Sequence, residues 1–158
     1  MAKAREISDL AEAKSFREAA AMAVEVRAEE VFEHAAGVLD TSDIERVHDM
    51  RVATRRLRAV MEIFETAFPR KQHRAVLKDV KALADALGER RDRDVAIDAM
   101  TKIGLALTAT DRRGIDHLVA ELRDEQRGAN AELAEALERM EQSDLRGRLR
   151  ALTAAVAA

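Results

Sequence analysis

The sequence predicts an all-α fold, an antiparallel four-helix bundle with two additional C-terminal helices, and three observations predict it. Apolar residues make up 47% and charged residues 36% of the 158 positions, with only six glycines and one proline, a balance that suits packed helices and excludes collagen-like or disordered chains. Alanine, the strongest helix former, fills 32 positions. No window carries the period-two alternation of β-branched residues that marks a strand. With four phenylalanines and no tryptophan or tyrosine, the core is expected to be thin. The length suits one domain, residues 1–158.

The first helix is expected over residues 8–38, where Phe16, Ala20, Ala23, Val24, Val31, Ala35 and Val38 recur at helical spacing behind Ser8-Asp9. Gly37 and the Asp40-Thr41-Ser42-Asp43 cluster end it. The second runs from Ile44 to Ala67 and stops before Pro69, because proline disfavours helix in the preceding residue. The third, Lys71 to Leu87, turns Val76, Leu77, Val80, Leu83, Ala84 and Leu87 inward and takes Gly88 as the residue just past its end. After a charged turn, Glu89-Arg90-Arg91-Asp92, a fourth helix carries Met100, Ile103 and Leu107, with Asp92 and Asp94 at its N-cap. These four complete a bundle over residues 8–108.

The tail, 109–158, holds two more helices. Thr110 or Asp111 caps the first of them, whose apolar set Ile115, Leu118, Val119, Leu122, Ala129, Leu133, Ala136, Leu137 and Met140 is the most regular in the chain. A short last helix carries Leu145, Leu149, Leu152 and Val156. Short connections favour up-down packing of neighbours.

The net charge of −3 conceals an asymmetry: residues 46–93 hold 13 Lys/Arg against 7 Asp/Glu, and the remainder 14 against 23. Turning the second helix by about 100° per residue from His48 gathers Met50, Ala53, Leu57, Val60 and Phe64 on one side. His48, Arg51, Arg55 and Arg58 fall on the other, and Arg56 lies off that stripe. Crowding these cations costs helix stability, offset on that face only by Glu62. A polyanion would neutralise them. On the third helix Lys71, Arg74, Lys78 and Lys81 form a second single-face row, and the short turn at Pro69 lets both rows border one groove. Guanidinium forks match phosphate oxygens and ammonium groups add point charge, so the rows suit a repeating phosphate chain. Solvated surface faces are the plainer reading of such a row.

The run His48-x-x-Arg51-Val52-Ala53-x-Arg55-Arg56-Leu57-Arg58, followed by Leu87-Gly88-x-x-Arg91-Asp92-x-Asp94-Val95, resembles the CHAD family, histidine α-helical domains that bind inorganic polyphosphate. The resemblance covers residues 10–108. It implies a helical bundle with a basic surface, no catalytic activity and association with polyphosphate granules; no cofactor or metal is expected. Carried onto matching positions it points to His48, Arg51, Arg55, Arg56 and Arg58, with Arg91 and the row Arg74, Lys78 and Lys81 in support. A full family domain resembles two such bundles related by a pseudo-twofold, whereas residues 109–158 contain no second His-x-x-Arg run. The chain therefore reads as half of a double bundle that either dimerises or binds with half the basic surface; a homodimer is expected, through the apolar faces of the fifth helix and the alanine-rich end 151–158, unless that tail packs along the bundle as a cap.

Other classes are weaker. His34, the His48-Asp49 pair and Asp94 resemble the His…His-Asp…Asp order of HD-type metal-dependent phosphohydrolases, but an arginine row follows where an apolar run belongs. The same arginines would contact nucleic acid only nonspecifically, since there is no Trp or Tyr platform for bases. A phasin-like structural bundle would not require the cation stripe. Absence of cysteine removes disulfides and thiolate metal sites. No apolar stretch approaches the roughly 18 residues of a membrane span, and the start Met1-Ala-Lys-Ala-Arg-Glu6 lacks a signal-peptide apolar core. A cytoplasmic protein with no membrane partner is expected.

Overall fold

The computed structural model describes residues 3–157; Met1, Ala2 and Ala158, which belong to the expected charged start and alanine-rich end, lie outside the described residues. Among these residues the fold is all-helical and has no strand: α1 (Phe16–Glu33), α2 (Ile44–Ile63), α3 (Arg70–Leu105), α4 (Ala109–Gln142) and α5 (Leu145–Ala154). Six helices were expected, and the third and fourth are one.

The reason α3 does not break lies in its charges. Gly88 does not adopt the left-handed conformation of a helix-ending glycine; Gly37 is the only described glycine with positive φ. Across the expected turn, Arg93 pairs with Glu89 and Arg90 with Asp94, both one helical turn apart. Asp92 and Asp94 therefore sit inside a helix, not at its cap. Arg90 and Asp94 are wholly buried against α4. Arg90 Nε donates to Asp94 Oδ1 at 2.9 Å, Gln126 Nε2 donates to the same oxygen at 2.6 Å, and Arg90 Nη1 donates to the Asn130 side chain. Asn130 Nδ2 in turn donates to the Leu39 carbonyl at 3.1 Å, tying the α1–α2 loop to this network.

The first helix is shorter than expected. Ser8-Asp9 leads into a 3₁₀ turn at Leu10–Glu12, and α1 starts behind Ser15, whose hydroxyl accepts from the Glu18 amide at 3.1 Å. Phe16 is 53% exposed, resting its ring on Phe64 instead of entering the core. Thr108, not Thr110 or Asp111, caps α4. Pro69 stands immediately before α3, where its missing N–H is harmless.

The core joins all five helices: Val24 and Val31 of α1, Met50, Leu57 and Met61 of α2, Val80 and Leu87 of α3, Leu133 and Met140 of α4, Leu145, Leu149 and Leu152 of α5. Residues 126–142 and α5 thus close the bundle rather than trail from it. α5 lies along α1, where Arg146 and Arg150 both pair with Glu29, and Arg148 reaches Asp79 of α3 at 2.5 Å. The two arginines hold the Glu29 carboxyl below its usual range, the Arg146 hydrogen bond contributing most. Of the alanine-rich end, Leu152, Thr153 and Val156 are buried inside the chain, while Ala151, Ala154, Ala155 and Ala157 stay exposed. The opposite end of the α3–α4 hairpin is bare. Between residues 95 and 122 only Ile97 and Gly104 are buried, so these turns form a two-helix arm projecting past the start of α2.

Candidate anion-binding groove

α2 is positioned by its buried face. Met50, Ala53, Leu57 and Met61 are at most 1% exposed, which turns Arg51, Arg55 and Arg58 outward at spacings of four and three. Antiparallel to it, α3 presents Ala84, Asp85, Gly88, Glu89 and Asp92, and with the three arginines these residues line an open groove of ≈ 490 Å³. Gly88 matters here by its missing side chain: a Cβ would stand 3.8 Å from Arg51 Nε, so the guanidinium lies over bare helix backbone.

A second trough continues the first. Arg74, Lys78 and Lys81 line it together with Glu62, Glu65 and Leu77, and Asp85 borders both. The two troughs adjoin at Asp85, so the rows Arg51, Arg55, Arg58 and Arg74, Lys78, Lys81 border neighbouring stretches of the α2–α3 surface. Glu62 bridges the rows, with its Oε1 3.0 Å from Arg58 Nε and 3.1 Å from Lys81 Nζ. Hydrogen bonds from Arg58, then from Lys81, hold its carboxyl below the usual range.

The other expected site residues are placed differently. His48 is half-buried one turn before Arg51, and Arg56 is half-buried; neither lines either trough. Arg91 donates to the Ile44 carbonyl at 3.0 Å and lies 3.5 Å from Glu45, leaving its side chain 17% exposed. It fastens α3 to the first turn of α2. Lys71 is exposed at the start of α3. Sequence reasoning missed the wall of the groove, Asp85, Glu89 and Asp92. Their spacing of four and three mirrors the arginines, and it becomes visible only when α3 is read as unbroken.

The fold is an all-helical bundle with a groove between two antiparallel helices in which three arginines face three carboxylates. The CHAD domain family model matches residues 22–158, and the chain belongs to that family. The match runs through α4 and α5, beyond the 10–108 segment that carries the motifs, in keeping with the part both helices take in the core. No curated protein and no solved structure matches the chain.

Proposed function

We propose that the protein binds inorganic polyphosphate in the groove between α2 and α3, as a noncatalytic domain acting at cytoplasmic polyphosphate granules. The observation that carries this reading is the convergence of Arg51, Arg55 and Arg58 on one open groove that continues into the Arg74, Lys78 and Lys81 trough. Spaced forks and ammonium groups suit a long repeating anion, each phosphate offering oxygens to one of them, and the carboxylates that share the troughs, Asp85, Glu89, Asp92, Glu62 and Glu65, set the charge such an anion has to displace. The family's association with polyphosphate, noted at the His48–Arg58 run, supports the same ligand.

Two competing readings fit less well. No phenylalanine lines either trough, so bases would find nothing to stack on. The HD-type alternative needs an accessible Asp94, yet that carboxylate is 1% exposed and bonded to Arg90 and Gln126. Among the described residues no group of three or more His, Cys, Asp or Glu is arranged to hold a metal. No helix among them is long and apolar enough to cross a membrane.

The test is a calorimetric titration with long-chain polyphosphate beside duplex DNA at equal phosphate concentration. Polyphosphate is expected to bind more tightly, with a log-log salt slope of about −3 to −5 for about four to six contacts. The combined Arg51→Ala, Arg55→Ala and Arg58→Ala variant is expected to lose most of that affinity while remaining folded, since Arg55 is exposed, Arg51 and Arg58 are half-buried at the groove, and none of the three is in the core. Salt-independent binding, or undiminished binding by the variant, overturns the assignment.

A further inference from the structure

The groove between α2 and α3 repels an anion over most of one wall. Its α2 side carries Arg51, Arg55 and Arg58, and its α3 side carries Ala84, Asp85, Gly88, Glu89 and Asp92. A phosphate drawn in by the arginines therefore meets three carboxylates. The only uncharged surface that α3 offers it is at Ala84 and Gly88, one helical turn apart. Asp85, Glu89 and Asp92 are exposed, whereas Ala84 and Gly88 are half-buried and form the floor. The path of least repulsion for an anion runs along that floor.

Arg51 marks where the floor is most open. A Cβ on Gly88 would stand 3.8 Å from Arg51 Nε, and apart from the glycine's own helix nothing else lies within 4 Å of it. Among the described residues no carboxylate lies within ion-pair distance of Arg51 or Arg55, while Arg58 is tied to Glu62. A half-buried, unpaired guanidinium thus lies over bare backbone. Neither backbone conformation nor helix packing explains the glycine. Its φ is not in the left-handed region, unlike that of Gly37, and it is not pressed on a neighbouring helix as Gly104 is, where a Cβ would meet Ile115 Cγ2 at 3.2 Å. Glycine is less favourable than alanine inside a helix, so the position is kept bare against the helix's own preference.

We propose that Gly88 is a positioning residue for the bound anion: because α3 has no side chain there, a phosphate group lies against the helix backbone, within reach of Arg51 and clear of Asp85, Glu89 and Asp92. This rests on the polyphosphate reading of the groove and adds to it where the chain lies. A side chain at position 88 lifts the phosphates toward the three carboxylates and away from Arg51 without removing any charge.

The test is the calorimetric titration with long-chain polyphosphate, run on wild type, Gly88→Ala, Gly88→Leu and Gly128→Ala. Gly128 of α4 is the comparison, being equally open, with nothing within 4 Å of its Cβ position, but lining neither trough. Gly88→Ala is expected to melt above wild type yet bind about threefold more weakly, a fraction of one charge-assisted hydrogen bond. Gly88→Leu keeps every arginine and lysine. It is expected to bind about tenfold or more weakly, with a log-log salt slope shallower by about one, because Arg51 no longer neutralises a phosphate. Gly128→Ala is expected to melt higher with affinity unchanged, which separates helix stability from groove shape. Wild-type affinity and slope in both Gly88 variants overturn the proposal, and so does an equal loss of affinity in Gly128→Ala. If Gly88→Leu loses its helical circular dichroism, Gly88→Ala decides by the same criterion. The polyphosphate reading fails on different results: absent binding by wild type, or undiminished binding by the combined arginine variant, ends it and the role of Gly88 together, whereas a Gly88 failure alone leaves it standing.

Discussion

Arg90 and Asp94 show how much one pair of side chains decides. Both are buried, and Arg90 Nη2 and Asp94 Oδ2 have no hydrogen-bond partner, so the pair survives on its mutual bond and on Gln126 and Asn130. Removing one member leaves a buried charge uncompensated, at a cost of about 3 to 5 kcal/mol. Asp94→Ala is therefore expected to lower the melting temperature by about 6 to 20 °C in a chain of this size, followed by circular dichroism. The paired change Arg90→Met with Asp94→Leu is expected to recover part of that loss, since it removes both charges but leaves the buried Gln126 amide without its partner. Glu62 acts in the opposite sense, on the surface and on binding. Its depressed pKa means the bridge to Arg58 and Lys81 persists at and above the ordinary carboxylate range and is lost as pH falls through the lowered value. All three side chains are more than 40% exposed, so the bridge adds little to stability, but it occupies two cations that a polyanion would use. Glu62→Gln is expected to tighten polyphosphate binding by up to about fivefold, the equivalent of an exposed ion pair of about 1 kcal/mol, read by titration at neutral pH.

At the scale of elements, α3 separates what a pattern of residues reveals from what it hides. The inward positions Val76, Val80, Leu83 and Leu87 were legible because their period is regular. The continuation past Gly88 was not, because the buried face there changes from aliphatic to an arginine–aspartate pair, and charge in a sequence reads as solvent exposure. The start of α1 was misplaced for a related reason: Ser15 and Ser8 both offer a cap, and only Ser15 stands before turns that α2 and α5 cover. Gly88 gives the direct check. A glycine inside a helix is about 1 kcal/mol less favourable than alanine, and the space above it is in ordinary contact range, 3.8 Å to Arg51 Nε. Gly88→Ala is therefore expected to raise the melting temperature by about 2 to 4 °C. Had the residue ended a helix in left-handed conformation, the same substitution would lower it.

For the whole molecule, one face of one helix carried most of the legible site. The order of Arg51, Arg55 and Arg58 needed only the helical period, while the facing acidic wall depended on the antiparallel docking of α2 on an unbroken α3, which no local pattern contains. The role of 109–158 was hidden likewise, since the partner of α5 is α1, more than a hundred residues away. The arm has a consequence in time as well as space. α3 is a single rod, yet its inner turns are clasped by the core and its outer turns by α4 alone, so its amides belong to two different opening events. Amides around 80–87 are expected to exchange with deuterium only when the whole fold opens, and those around 98–104 by local fraying, at least about a hundredfold faster. One helix thus keeps two clocks, the inner set by the opening of the whole fold and the outer by the arm alone.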